Sequence, residues 1–207
     1  MGNNKKPGEG KALADKRKTD TKERVLALTL AEIQRGGYRD LTLRGLAKKF
    51  GVSATALYNH FENKENLFDE ALARLSALIF QEYSAGKKQL ADSGDAVTQY
   101  LFLSEYILEK FQAEPLLMHF LFFSPSALKV YAKKNNAAPF WAEAQRIILN
   151  IQKEKQLPIS LEQLYTPLWA YMQGYTILVT SGITPYNRAL LERGIHLLLQ
   201  ELPSQNA

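Results

Sequence analysis

One stretch, Thr42 to Lys64, reads T-L-R-G-L-A-K-K-F-G-V-S-A-T-A-L-Y-N-H-F-E-N-K and leaves the chain few ways to fold. Its apolar residues Leu43, Leu46, Ala47 and Phe50 fall at the i, i+3, i+4, i+7 spacing of a short amphipathic helix. Gly51 ends that helix, because only glycine takes a positive φ at no steric cost. Ser53 is placed to cap a second helix whose buried side is Leu57 and Phe61. The gap admits a turn of about three or four residues, so small Ala47 meets Leu57 across a tight corner, which is helix-turn-helix arithmetic.

With Leu57 and Phe61 facing inward, Ala54, Thr55, Tyr58 and Asn59 share the opposite face. That face is small and polar with one aromatic, and it suits a major groove, where side chains meet base edges and phosphates. On spacing alone, an ordinary helical hairpin with a solvated face is the alternative.

These residues closely resemble the DNA-binding domain of the TetR/AcrR family of bacterial transcriptional regulators. The blocks that carry the resemblance are L-T-L-R-G-L-A-K-K-F-G-V-S, A-L-Y-N-H-F and N-K-E-N-L-F. It runs from about Thr21 to Leu72 and extends to the rest of the chain only in layout. Carried over position by position, it implies that Thr42 caps the first helix of the motif and that Arg44 reaches a phosphate or a base. Ala54, Thr55 and Asn59 would read bases. Ser53, Tyr58, His60 and Lys64 would bind phosphates, Lys64 at a helix start where the amides already favour an anion. Gly45 departs from the family pattern, which more often has an acidic residue or alanine there, and it removes any capping box with Thr42.

Charge agrees with this division. Residues 1–64 carry 14 Lys and Arg against 7 Asp and Glu, whereas residues 65–207 carry 12 against 14. A basic end joined to a slightly acidic remainder fits polyanion binding, with salt-dependent affinity from phosphate contacts. The absence of cysteine excludes disulfides and thiolate metal sites. No apolar run reaches the roughly 18 residues of a membrane span, since Leu116 to Phe123 is the densest and includes His119. With no signal-peptide pattern at the N-terminus, a cytoplasmic protein with no membrane association is expected.

In chain order, residues 1–20 are polar and basic and predict a flexible tail, with Lys16, Arg17 and Lys18 able to lie along DNA. Residues 21–66 make the DNA-binding domain: Leu26, Leu30 and Ile33 stripe a first helix that stops at Gly36 and Gly37. Residues 67–207 make a larger helical domain. Asn63 opens a long helix to about Ser84, with Leu67, Phe68, Ala71, Leu75, Leu78 and Ile79 as its apolar face. Asp95, Glu114-Pro115, Ser124-Pro125, Ala138-Pro139, Ser160 with Gln163, and Thr184-Pro185 each mark a helix start. No stretch alternates with period two, so an all-α chain of about nine or ten helices is expected.

The segments Leu161 to Thr180 and Tyr186 to Glu201 are apolar on more than one face, which demands burial almost all round. A partner subunit supplies the second buried face most simply, and the family's dimerisation helices stand at this place in the chain. The expected homodimer interface comprises Leu164, Leu168, Tyr171, Leu178, Leu191, Ile195 and Leu198, with Gly174 and Gly194 permitting close approach. A monomer with a thick core is the alternative.

Aromatics crowd the middle of the chain. An effector pocket for a hydrophobic or aromatic small molecule would draw on Phe102, Tyr106, His119, Phe120, Phe123, Trp141, Gln173 and Tyr175, although aromatics at helical spacing are more often plain core than cavity lining. The three histidines are far apart, and no His-Glu-x-x-His pair, phosphate loop or glycine-framed serine occurs. No enzyme, cofactor or metal is expected. The function expected is a homodimeric repressor that binds a palindromic double-stranded DNA operator and is released by a small effector. An adaptor using the same fold to bind a protein is the alternative.

Overall fold

The computed structural model describes residues 7–87, 94–132 and 138–201. Among them are ten helices and no strand, as the absence of period-two segments requires. The first is α1 (Pro7–Gly36), followed by α2 (Leu43–Phe50), α3 (Ala54–Tyr58) and α4 (Lys64–Lys87). Then come α5 (Ala96–Ala113), α6 (Pro115–Phe123), α7 (Pro125–Ala132), α8 (Pro139–Glu154), α9 (Leu161–Thr180) and α10 (Arg188–Gln200).

α1 begins well before the expected boundary at Thr21. The backbone of residues 7–20, expected to be a flexible tail, is helical, with Pro7 at the first helical position, where its missing N–H costs nothing. Residues 1–6 of that tail lie outside the described residues. α1 ends as its glycines dictate, with Gly37 at φ 78°.

α4 is the helix on which both halves of the molecule are assembled. Its first turns bury Leu67, Phe68 and Ala71 in the core that Leu26, Leu30, Ile33, Leu46, Leu57 and Phe61 also enter. It also packs on α6, α7 and α8. Leu78, expected on its apolar face, is instead exposed, and the buried stripe turns through Leu75, Ile79 and Tyr83.

Two helices of the larger domain are capped by side chains from other helices. The N-cap position of α8 is Ala138, which cannot cap, and buried Ser76 of α4 accepts the Phe140 N–H at 3.1 Å in its place. At α5, Asp95 accepts from Thr98 N at 2.8 Å while Glu154 of α8 accepts from Ala96 N at 2.9 Å. Such bonds satisfy helix-end amides that have no intrahelical partner, so α4, α5 and α8 are joined by polar as well as apolar contacts. Ser160 and Gln163 complete a reciprocal capping box at α9.

The last helix starts later than Thr184-Pro185 suggested. The Tyr175 phenol accepts from Asn187 N at 2.8 Å and donates to Asn187 O at 3.0 Å, which fixes Asn187 as the cap of α10, its own side chain accepting from Leu190 N. Residues 183–187 therefore form a linker, further pinned where the Tyr186 hydroxyl donates to Glu105 of α5.

Candidate nucleic-acid interface

The local chemistry of residues 42–66 builds the helix-turn-helix turn by turn. Thr42 Oγ1 accepts from Gly45 N at 3.1 Å and caps α2. Gly51 takes φ 67°, and the Gly51 and Val52 amides return to the Lys48 and Ala47 carbonyls, closing α2 in a Schellman motif. Ser53 Oγ then accepts from Ala56 N at 3.1 Å and opens α3, and Asn63 accepts from Asn66 N at 2.8 Å to open α4. α3 has only five residues, too few to be stable alone. It is held by Leu57 and Phe61, each 1% exposed, against Ala47 and Leu46.

The outer surface follows from that burial. Thr55, Tyr58 and Asn59 are exposed, Tyr58 to 49%, while Ala54 and His60 are half-buried beside them. Thr42, Arg44 and Ser53 are exposed on the same motif. Nδ1 of His60 is buried with no hydrogen-bond partner among the described residues, which leaves Nε2 as the nitrogen able to meet a ligand. Lys64 is half-buried and already engaged: its ammonium donates to the Arg39 carbonyl at 3.1 Å and lies 5.1 Å from the Phe68 ring centre. Two of its three donors stay available. Glu32 of α1 takes ion pairs from Lys49 of α2 and from Arg35, and the Lys49 hydrogen bond holds its carboxyl below the usual range. Of these contacts the Lys49 ion pair joins α2 to α1.

Apart from Tyr175, the aromatic residues expected of an effector pocket fall into three ring groups, with Trp141, Phe123 and His119 joined in one of them through Phe122. Phe102 and Tyr106 pack on Tyr83, and Tyr106 donates to the Ile79 carbonyl at 3.2 Å. Phe120 of α6 packs on Tyr38, between α1 and α2, and on Phe68 of α4. Trp141 packs on Phe122 and Phe140, and Phe123 packs on Phe122, Phe111 and His119. His119 is exposed and, with Phe123, Leu116 and Tyr38, lines a cleft of about 320 Å³. Tyr175 is occupied by Asn187, and Gln173 is half-buried on α9. Sequence reasoning passed over Tyr83, fully buried with its hydroxyl unpaired among the described residues; burial raises its pKa. Its place between Ile79 and Gly86 on the α4 stripe was the available signal.

The expected subunit interface needs correction. Leu164, Leu168, Leu191 and Ile195 are at most 1% exposed within one chain, so the protomer's own core uses them. Tyr171 and Leu198 are half-buried, and Leu178 is exposed. The outer faces of α9 and α10 present Ile177, Leu178, Leu190 and Leu197, with Ile183 and Tyr186 on the linker between them. A Cβ at Gly174 would meet nothing within 4 Å and Gly174 is exposed, whereas Gly194 faces inward beneath the Tyr171 phenol, which donates to Leu190 O at 3.2 Å.

Comparison with known proteins matches the same segment of the chain. Residues 25–71 match the family model described as bacterial regulatory proteins, tetR family. Over these residues the chain is similar to the DNA-binding domain of that family. It is 30% identical over 105 residues to the HTH-type transcriptional repressor KstR of Rhodococcus jostii, covering 51% of this chain and 47% of that protein. It is 29% identical over 106 residues to KstR of Mycolicibacterium smegmatis, covering 51% and 50%. The match thus spans about half the length of these curated relatives.

Solved structures extend the likeness in fold to most of the chain. The transcriptional regulator FadR of Bacillus subtilis, in complex with stearoyl-CoA, superposes with a TM-score of 0.62 at 13% identity, covering 87% of this chain and 99% of FadR. A putative transcriptional regulator of Saccharomonospora viridis, in complex with choline, gives 0.59 at 20% identity, covering 88% and 97%. Among the described residues, no helix is long and apolar enough to cross a membrane and no His, Asp and Glu cluster is arranged to hold a metal.

Proposed function

We propose that the chain is a homodimeric transcriptional repressor that binds a palindromic DNA operator through α2 and α3 and is released by a small effector held in the larger domain. The observation that carries this reading is the exposed face of α3, capped at Ser53 and backed by Leu57 and Phe61. Its side chains are a set that reads base edges and phosphates. The match to repressors named KstR supports the direction of control. Neighbours solved with stearoyl-CoA and with choline support a ligand site in a domain of this fold.

The second copy is supported by the exposed apolar residues of α9, α10 and their linker, a set that isolated surface leucines do not resemble. A Gly174 that is open in one protomer lets a partner helix approach closely. Twofold symmetry then sets two copies of α3 about 34 to 36 Å apart, or at another groove-matched spacing, for a palindrome.

The test is a titration of the purified chain against the DNA upstream of its own gene, at two salt concentrations, with random duplex as control and mass measured in parallel. The expected result is dimeric, salt-sensitive binding that favours the upstream DNA. Equal, weak binding to both duplexes by a monomer would overturn it.

A further inference from the structure

The loop between α1 and α2 makes contacts that DNA binding does not explain. Tyr38, on that loop, packs its ring edge-on and tilted between two others: it lies 5.4 Å from Phe120 of α6 and 6.4 Å from Phe68 of α4, and these two lie 5.6 Å apart. One ring thus comes from each of three elements.

The hydroxyl adds direction to the packing. Tyr38 Oη donates at 3.2 Å to the carbonyl of Phe123, the last residue of α6. Helix-end carbonyls lack an intrahelical donor. The amide that would continue the helix to Phe123, that of Ala127, is taken instead by Ser124 Oγ at 3.1 Å. The end of α6 is therefore capped by a residue of the DNA-binding domain. On its other side the same loop is held by Lys64, whose ammonium bonds the neighbouring Arg39 carbonyl. Gly37 at φ 78° sets the loop's path, and Thr42, four residues beyond Tyr38, caps α2.

We infer that Tyr38 is a positioning residue that couples the C-terminal end of α6 to the helix-turn-helix, so that a displacement of either is felt by the other through the Tyr38 hydroxyl. This rests on the DNA-binding reading above. A hydroxyl held by a terminal carbonyl is well suited to the task, because it can be lost without opening the core: the ring keeps its packing while the bond breaks.

The coupling is reciprocal, so it is measurable from the DNA side without an effector. The experiment compares hydrogen exchange of residues 115–124 in the full-length protein, free and saturated with the duplex it selects from a random pool, for the parent and for Tyr38→Phe. The parent should slow exchange at the end of α6 by at least about fivefold on binding DNA, the lower end of an allosteric coupling. Tyr38→Phe should reduce that response below about twofold while keeping duplex affinity near the parent's, a pattern that simple loss of stability would not produce because free-state exchange is the baseline for each protein. An undiminished response in Tyr38→Phe, or none in a parent that binds DNA, overturns the inference alone. A parent that selects no duplex overturns the DNA-binding reading and this inference with it.

Discussion

Replacing Gly194 with alanine tests how α9 and α10 are joined. A Cβ at this position would fall inside the van der Waals envelope of Oη and Cζ of Tyr171 and within 2.8 Å of Cε1. α10 cannot withdraw, because Leu191 and Ile195 on its inner face are 1% and 0% exposed. The Tyr171 ring must swing away, losing its bond to the Leu190 carbonyl and its stacking on Tyr175 at 6.2 Å. The hydrogen bond is worth about 0.5 to 1.5 kcal/mol and the ring pair a similar amount. Alanine returns about 1 kcal/mol of helix propensity. Gly194→Ala should therefore destabilise by about 1 kcal/mol, a modest net effect, and the diagnostic is its sign in a second background. With Tyr171→Ala already in place the three atoms nearest the new methyl are gone, so Gly194→Ala should stabilise by about 1 kcal/mol, giving a coupling of about 2 kcal/mol. Urea unfolding followed by circular dichroism, at one fixed protein concentration, measures all four proteins. Equal stabilisation by Gly194→Ala in both backgrounds would refute the reasoning.

Three further outcomes follow from named contacts. If the proposed roles hold, Tyr58→Phe should weaken binding to specific and random duplexes alike, by removing the proposed phosphate contact, whereas Asn59→Ala should lower preference among bases by about 1 to 3 kcal/mol at one position; competition binding with single-base operator variants separates them. Asp95→Ala should cost about 1 kcal/mol of stability through loss of the α5 cap. The hydrogen bond from the Thr98 amide, followed by that from its side chain, holds the Asp95 carboxyl below the usual range, so this contribution is complete above the unfolded carboxylate pKa of about 3.9. It fades as pH falls through the lower folded value, and Asp95→Asn, which still caps, should lack that fade in urea titrations run at successive pH values. Tyr83→Phe removes a buried hydroxyl that has no partner among the described residues, so it should stabilise the protein by up to about 1 kcal/mol; a loss of stability in thermal unfolding would mean that the hydroxyl has an ordered water or ligand as partner.

How far the sequence announces this structure depends on how local the deciding physics is. In the helix-turn-helix every boundary is set within four residues: Thr42 to Gly45, Ser53 to Ala56, Asn63 to Asn66, and the glycine at Gly51. Each acts through a side chain on a nearby amide, and Leu57 and Phe61 needed only a neighbour of opposite polarity to declare their face. The expected positions of Thr42, Ser53, Thr55, Tyr58 and Asn59 therefore emerge together on one accessible motif. Lys64 was legible as a charge but not as a clamp on Arg39, because the clamp spans 25 residues.

α9 and α10 show the opposite case. Both faces of each helix are apolar, so periodicity says that two surfaces are needed and nothing about which is which. The choice is made by distant groups. Tyr100 of α5, fully buried, donates to the Leu168 carbonyl at 2.7 Å and turns that side of α9 into the core. Tyr171 resting over Gly194 turns the Leu191 and Ile195 side of α10 the same way. Once those two orientations are set, Ile177, Leu178, Leu190 and Leu197 have nowhere to point but outward. The same logic explains Thr184-Pro185: a sound local start signal was overruled by one phenol, Tyr175, that claimed both backbone groups of Asn187. Tyrosines supply each of these decisions, since a ring long enough to cross a helix interface carries its hydroxyl to a backbone group on the far side. That places the information about the helices after α4 in pairs such as Tyr100 with Leu168 and Tyr38 with Phe123, which no window along the chain contains.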